Sequence, residues 1–460
     1  METIILPTPS LHNSNENPQE QEKVNGAIRR TRLTSFSTSR DSGISWGRRH
    51  HHGSWLHSLG CLSIMLICPL IVIFYWITLS SFGGSLLSAY KSMLVAGPAS
   101  FLWQYAPRGN LRASIGYASW LLFQAALYQF LPTKLSTGQL TPAGHLLKYR
   151  TNGLSAYIVT HVLFVALSYA GILDPAILAK NWEALLVCAN VYGFLLSGFA
   201  YLKACISPTH EGDRKFSGSI LYDLYMGVEL NPRFGRYFDF KLFHNGRPGI
   251  IAWTLIIYVI DFYINEDWYL RTIDICHDHF GFYLAWGSMV WLPSMYTLQT
   301  QYLARNPISL HPVTALTLLV TGVSGYVLFR SVNYQKDLVR RTGGDCMIWG
   351  KKAEVLRMKY KTGDGKTHES LLLCSGWWGT ARHVNYVGDL ALSFSMCAAA
   401  GLAGRGEGQG HLLPWTYAIF MTVLLIHRCW RDEERCAKKY GVGWERYCAR
   451  VGWVLVPGIW

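Results

Sequence analysis

Charge is scarce in this sequence, and hydrophobic residues are abundant. Only 15% of the 460 residues are charged, whereas 50% are hydrophobic. This balance excludes an ordinary soluble protein, a collagen-like chain and a largely disordered chain. The eleven cysteines form no C-x-x-C pair, so the sequence lacks the usual zinc and redox motifs. The composition is that of a membrane protein.

The basic residues are also distributed as in a membrane protein. The net charge is +14, but the lysines and arginines lie in short clusters between apolar runs. Such clusters are typical of cytoplasmic loops, and the 14% of aromatic residues suits rings at membrane interfaces. We therefore expect membrane lipids as partners and no nucleic-acid partner.

The N-terminal region differs from the rest of the chain. Residues 1–53 are polar, and residues 29–49 contain six arginines against one acidic residue, Asp41. This predicts a disordered, basic cytosolic tail, followed by a membrane domain over residues 54–460. The apolar run 55–79 is long enough for a first transmembrane helix and lies too far along the chain for a cleaved signal peptide.

Ten apolar stretches predict an all-α, polytopic fold of about ten transmembrane helices. An even number places both termini on one side of the membrane, and the basic clusters predict that this side is cytosolic. The connector 351–371 alternates polar and apolar residues around a Thr-Gly-Asp-Gly turn and predicts a small hairpin. The apolar stretches cover residues 55–79, 93–107, 113–131, 154–174, 184–205, 249–263, 281–303, 311–331, 386–402 and 413–427.

Two polar clusters lie in the middle of the chain, where charge beside an apolar stretch is a candidate for function. The first covers residues 222–233, and a surface loop is its alternative explanation. The second covers residues 258–279 and contains a His-x-His pair, His277 and His279. No third ligand follows at helical spacing, so we expect no metal.

A third polar cluster lies in the C-terminal third, over residues 336–341, 375–390 and 425–441. Its arginines and lysines suit phosphates, its tryptophans and tyrosines offer stacking surfaces, and Asn and Asp suit a ribose or an amide. The combination predicts a nucleotide pocket without a Rossmann motif. A basic cytoplasmic patch is the alternative, although it leaves the polar Asn385 and Asp389 unexplained.

Long stretches of the chain resemble the membrane sterol reductase family. The resemblance begins near Thr141, and within the family it is strongest to the Δ7-sterol reductases that act on 7-dehydrocholesterol. In the C14-type reductases an Asp-Gly pair replaces Asp278-His279, which favours the Δ7 type. The matching stretches are KYRTNGL (148–154), SILYDLYMGVELNPR (219–233), FDFKLFHNGRPGI (238–250), TIDICHDHFGFYLAWG (272–287), NYQKDLVRR (333–341) and LIHRCWRDEERCAKKYG (425–441).

This resemblance implies an NADPH-dependent oxidoreductase whose cytosol-facing cofactor pocket lies in residues 333–460. Tyr258 and Asp432 are the implied catalytic residues. Lys336 and Arg340 lie one turn apart if helical, so both side chains can reach a 2′-phosphate. The implied cofactor-binding residues are Lys336, Arg340, Leu373, Trp378, Asn385, Tyr386, Asp432, Cys436, Ala437, Lys438, Lys439, Tyr440 and Tyr447.

The implied reaction adds a proton to C8 and a hydride to C7 of a sterol that enters from the bilayer. A phenol with a pKa of about 10 is a weak acid for this step, so Tyr258 needs a polarising partner. Asp432 or a water is the expected relay. The resemblance further implies a multi-pass protein of the endoplasmic reticulum membrane, with other sterol-biosynthetic enzymes as partners.

The chain departs from the family pattern between Ile256 and Ile257. Here it lacks a polar loop and an apolar stretch, which predicts a shortened span and a displaced Tyr258. The alternatives are a C14 reductase, an inactive scaffold similar to the lamin B receptor, and an isoprenylcysteine-type methyltransferase. The methyltransferase cofactor S-adenosylmethionine has no phosphate for Lys336 and Arg340, and the tail is too short for the scaffold's extra module.

Overall fold

The computed structural model describes Trp46 and residues 55–246, 256–402 and 412–460. The fold is mostly helical, as predicted. Among the described residues, three helices are long and apolar enough to cross a membrane: Trp55–Ser81, Trp182–Ile206 and Pro312–Arg341. The surface of the last carries exposed Leu316, Leu319 and Val320. Apolar surface of this kind suits contact with lipid. The count of ten spans stays a prediction.

Other predicted stretches also correspond to helices, but two of them are broken. The stretch 93–107 is interrupted at Gly97, whose positive φ of 79° ends one helix before Pro98 begins the next. The stretch 281–303 contains a π-helical turn at Gly287–Trp291 and several short helices. The remaining helices are Leu86–Ala96, Pro98–Tyr105, Leu111–Phe130, Gly153–Tyr169, Ile177–Lys180, Ile220–Met226, Phe240–Gly246, Ile256–Ile264, Glu266–Tyr269, Ile273–Cys276, Phe282–Trp286, Leu292–Met295, Leu298–Arg305, Trp377–Thr380, Val384–Gly401, Thr416–Tyr440 and Val442–Arg450, with 3₁₀ turns at Glu211–Asp213 and Leu413–Trp415.

The described part of the chain contains four antiparallel strand pairs, of which the sequence predicted only one. The predicted hairpin is confirmed, because Val355–Lys361 pairs with Thr367–Leu373 around Gly365. The other pairs are too short or too polar to show strand alternation, which is why the sequence did not predict them. They are Lys134–Leu140 with Leu146–Thr151, Arg233–Phe234 with Phe238–Asp239, and Met347–Ile348 with Lys351–Lys352.

Two helices approach each other closely in the C-terminal half. We call Pro312–Arg341 the Lys336 helix and Val384–Gly401 the Asn385 helix. They meet at Gly325 and Gly388, where a Cβ on Gly388 would lie 2.5 Å from the carbonyl oxygen of Gly325. Small residues permit this backbone contact, as in other membrane helix pairs. The contact holds the two helices that carry the predicted phosphate and amide ligands.

One residue of the predicted tail packs against the membrane domain. Trp46 is buried, and its indole N–H donates to the carbonyl oxygen of Lys361 at 2.9 Å. Its ring makes edge contacts with His277 and Tyr360. The disordered tail over residues 1–53 stays a prediction, since all of its residues except Trp46 lie outside the described residues.

Candidate active site

A cavity of about 1720 Å³ lies between the Lys336 helix, the Asn385 helix and the helix Thr416–Tyr440, which we call the Asp432 helix. The hairpin at residues 355–373, the segment at residues 271–277 and parts of several other elements also contribute to its wall. Pockets for one drug-sized ligand usually measure ~300–1,000 Å³. The cavity is therefore large enough for two ligands side by side.

On each of the three helices, the residues that line the cavity are apolar at one end of the helix and charged or polar at the other. On the Asp432 helix, the change runs from Phe420 and Leu424 to Asp432 and Lys439. On the Lys336 helix, Val323 precedes Lys336 by between three and four turns, and on the Asn385 helix the order is reversed. The cavity thus has an apolar end and a polar end, which suits one apolar and one charged ligand.

Three cations at the polar end have no carboxylate partner among the described residues. Within the described residues, Lys336 and Arg340 form neither a hydrogen bond nor an ion pair, and the Lys336 ammonium lies 4.7 Å from the Trp378 ring centroid. The Lys439 ammonium lies among aromatic rings, 3.9 Å from the centroid of Tyr360 and 4.4 Å from that of Trp46. Unpaired cations that face a cavity form a site for an anion such as a phosphate.

Asp432 is engaged by an arginine that the sequence analysis did not assign to the site. Arg435 hydrogen-bonds the Asp432 carboxylate and donates to Nε2 of His277 at 2.6 Å. Burial and the nearby Arg435 lower the pKa of His277, which fits an imidazole that accepts this bond. The ion pair stabilises Asp432 as a carboxylate. Asp432 is therefore a poor proton donor, and its oxygens can accept hydrogen bonds from a ligand.

Further arginines of the Asp432 helix explain the second polar cluster of the sequence. Arg428 pairs with Asp274 at 2.5 Å, and Arg431 pairs with Asp278. These pairs hold the segment at residues 274–278 against the polar end of the cavity. Arginines at positions 428, 431 and 435 repeat every three to four residues, and this spacing was the signal that these side chains share one helix face.

The first polar cluster has a structural role instead. Glu229 is buried and pairs with Lys203 at 3.0 Å, and Arg233 pairs with buried Asp239 at 2.9 Å. Within the described residues none of these four side chains lines the cavity. Because these side chains are buried, the alternative explanation of residues 222–233 as a surface loop is wrong.

Most residues of the predicted cofactor set line the cavity, and two of them, Ala437 and Lys438, do not. Ala437 and Lys438 lie on the exposed side of the Asp432 helix, and Lys438 pairs with Glu434 at 2.8 Å. Tyr258 lies in the helix Ile256–Ile264, but its side chain lies outside the described residues. The lining members are Lys336, Arg340, Leu373, Trp378, Asn385, Tyr386, Asp432, Cys436, Lys439, Tyr440 and Tyr447.

Comparison with known proteins gives a family match over nearly the whole chain. The Ergosterol biosynthesis ERG4/ERG24 family matches residues 58–257 and 254–460. The chain is 43% identical to a 7-dehydrocholesterol reductase of Danio rerio, over 90% of this chain and 93% of that protein. It is 43% identical to a 7-dehydrocholesterol reductase of Xenopus laevis, over 91% of this chain and 97% of that protein.

A more distant similarity extends to enzymes named for a different double bond. The chain is 33% identical to a Delta(14)-sterol reductase of Methylotuvimicrobium alcaliphilum, over 93% of this chain and 100% of that protein. The predicted family is confirmed by these matches. The chain belongs to the Ergosterol biosynthesis ERG4/ERG24 family and is a membrane-embedded sterol reductase.

Proposed function

We propose that this chain uses NADPH to reduce the C7–C8 double bond of a sterol of the 7-dehydrocholesterol type. The observation that carries this proposal is the two-ended cavity, with unpaired cations at one end and apolar side chains at the other. The greater identity to the 7-dehydrocholesterol reductases supports the Δ7 reaction, and the Δ14 reaction is the alternative.

The polar end fits a phosphorylated dinucleotide. Lys336, Arg340 and Lys439 supply three charges for phosphate oxygens, and Trp378 and Tyr360 supply aromatic faces. Asn385 suits the carboxamide, and ionised Asp432 suits a ribose hydroxyl. When bound, NADPH supplies the hydride. The 2′-phosphate gives the cations a physical basis for preferring NADPH over NADH.

The apolar end fits a sterol that arrives from the bilayer. Val323 and Leu292 line the cavity and also expose much of their surface. Apolar residues with both properties suit a lateral opening toward lipid tails. The same placement fits a multi-pass protein of the endoplasmic reticulum with both termini in the cytosol, associated with other sterol-biosynthetic enzymes. NADPH then enters from the cytosol and the sterol from the membrane.

Turnover is limited by a missing segment between Ile256 and Ile257. The family match divides into two parts that meet at residues 254–257. The alignment with the Danio rerio relative runs over 454 positions but covers only 90% of the 460 residues, so that relative has positions without a counterpart here. We expect the resulting short helix to displace Tyr258, the predicted catalytic tyrosine.

Expression in cells that lack Δ7-sterol reductase tests the reaction. Gas chromatography of the cell sterols should show a small but measurable conversion of 7-dehydrocholesterol to cholesterol. Cells that lack the Δ14 enzyme serve as the matched comparison, and their sterols should not change. Conversion of the Δ14 sterol alone would replace the proposed reaction by its alternative.

A further inference from the structure

One face of the Asn385 helix points into the cavity where its polar and apolar ends meet. Asn385, Asp389, Leu392 and Met396 all line the cavity, at the spacing of four, three and four residues that places side chains on one helix face. Asp389 follows the predicted amide ligand by one turn and precedes the apolar residues by one turn. Its carboxyl group therefore lies at the boundary between the two ends.

Asp389 differs from every other acidic residue in the described lining. Five of them pair with an arginine, whereas the Asp389 carboxyl has no hydrogen bond or ion pair to any described residue. Arg428 acts on it electrostatically, but the Arg428 guanidinium is bonded to Asp274 at 2.5 Å. The pairs are Asp261 with Arg330, Asp274 with Arg428, Asp337 with Arg271, Glu369 with Arg357 and Asp432 with Arg435.

The presence or absence of an arginine partner affects how easily each carboxyl group takes up a proton. An arginine partner favours the carboxylate, whereas an unpaired carboxylate beside apolar side chains is costly. Protonation is therefore easier at Asp389 than at the five paired carboxylates. A neutral carboxylic acid is also a stronger donor to a carbon–carbon double bond than a phenol.

We propose that Asp389, in place of the tyrosine Tyr258 that the resemblance implies, is the general acid that protonates the sterol, an inference that rests on the proposed reduction of the C7–C8 bond. The π electrons of that bond take the proton of Asp389 to form the C8–H bond, while the hydride supplied by NADPH forms the C7–H bond. The sterol gains two hydrogen atoms and NADPH is oxidised to NADP⁺. Asp389 is left as a carboxylate and takes its proton back from water.

Infrared spectroscopy of the ligand-free, full-length protein in lipid nanodiscs tests the protonation without any turnover. The wild type should show a carbonyl stretching band of a protonated carboxylic acid, which shifts in D₂O and is lost in Asp389→Asn. Asp345→Asn is the matched control, because Asp345 is exposed and lies outside the cavity lining. An identical band in the wild type and in Asp389→Asn would overturn the proposal.

Sterol turnover tests the catalytic role. Asp389→Asn should lower turnover by about 100-fold or more, the usual contribution of a general acid. The NADPH dissociation constant should stay within about twofold, which separates a catalytic loss from a folding defect, and Asp389→Glu should restore part of the rate. Turnover of Asp389→Asn within about threefold of the wild type, well below that contribution, would overturn the proposal. If the wild type reduces no sterol, the proposed function fails, and the infrared band still decides whether Asp389 holds a proton.

Discussion

At the scale of single residues, the polar end of the cavity is defined by cations without carboxylate partners. Lys336 and Arg340 lie one turn apart on one helix, and Lys439 approaches from another. A charge-assisted contact to phosphate forms equally in the ground state and in the transition state when the phosphate is remote from the reacting atoms. These side chains should therefore control cofactor affinity more than the rate of chemistry.

Replacing Lys336 or Arg340 by alanine should raise the NADPH KM more than it lowers kcat. Each charged contact contributes about 1.5–3 kcal/mol, which corresponds to a roughly 10- to 150-fold change in affinity. Steady-state kinetics and NADPH fluorescence titration measure the two effects. Lys352→Ala is the control, because Lys352 is exposed and lies outside the cavity lining, and the KM of this variant should stay near that of the wild type. Unchanged NADPH affinity in both cavity variants would remove Lys336 and Arg340 from the site.

Lys439 should make NADPH binding depend on pH. It lies beyond the predicted span 413–427, and burial, together with nearby Arg435, lowers the pKa of its ammonium group to about 7. A bound phosphate favours the ammonium form, so binding takes up a proton and the affinity should fall as the pH rises from about 7 to about 9. Lys439→Arg stays charged and should weaken this dependence. The same pH profile in both proteins, measured by fluorescence titration, would contradict this role.

At the scale of elements, the close contact between the Lys336 helix and the Asn385 helix sets the positions of their cavity residues. Gly388→Ala should destabilise the protein, because its Cβ would meet the Gly325 carbonyl oxygen at 2.5 Å. Overpacking of this kind costs about 1–3 kcal/mol. The Tm in detergent should fall, whereas Gly198→Ala, at a helical glycine with open space around it, should leave the Tm nearly unchanged. Equal Tm values for the two variants would show that the helices shift without cost.

The sequence predicted the existence of the long helices well. It predicted less well where helices are interrupted and which residues pack against each other. Hydropathy identified the long helices, since about 20 apolar residues suffice to cross a membrane. It did not predict the break at Gly97, because one positive φ angle leaves the apolar pattern intact. It also missed the burial of Trp46, which depends on a ring contact with Tyr360, more than three hundred residues later in the chain.

The candidate site shows the same limit. Lys336, Arg340 and Asn385 were assigned from residue type, spacing and resemblance, and all three line the cavity. The unpaired state of Asp389 was not predictable from sequence, because it depends on which arginine reaches which carboxylate across different elements. Arg435 was missed for the same reason, since its partner His277 lies in a distant part of the chain.

At the scale of the whole molecule, the junction at Ile256 and Ile257 separates cofactor binding from turnover. The cations proposed to bind phosphate all lie at or after Lys336, whereas the helix beside the junction, Ile256–Ile264, contributes Asp261 and Phe262 to the cavity wall. Inserting a polar loop and an apolar stretch between Ile256 and Ile257 should therefore raise sterol turnover with little change in NADPH affinity. An insertion of the same length between Gly343 and Gly344, outside the cavity lining, is the control and should not raise turnover. Equal turnover of the natural and extended chains would show that the shortening is tolerated.

The most direct test of the proposed chemistry follows a labelled hydride from the cofactor to the sterol. The purified chain in lipid nanodiscs is incubated with 7-dehydrocholesterol and NADPH that carries deuterium at the transferred position, and the product is examined by mass spectrometry and NMR. The proposed reaction predicts one deuterium at C7 of the reduced sterol and an unlabelled hydrogen at C8 when the solvent is H₂O. A reduced sterol without deuterium, or with deuterium at another carbon, would contradict the proposed transfer.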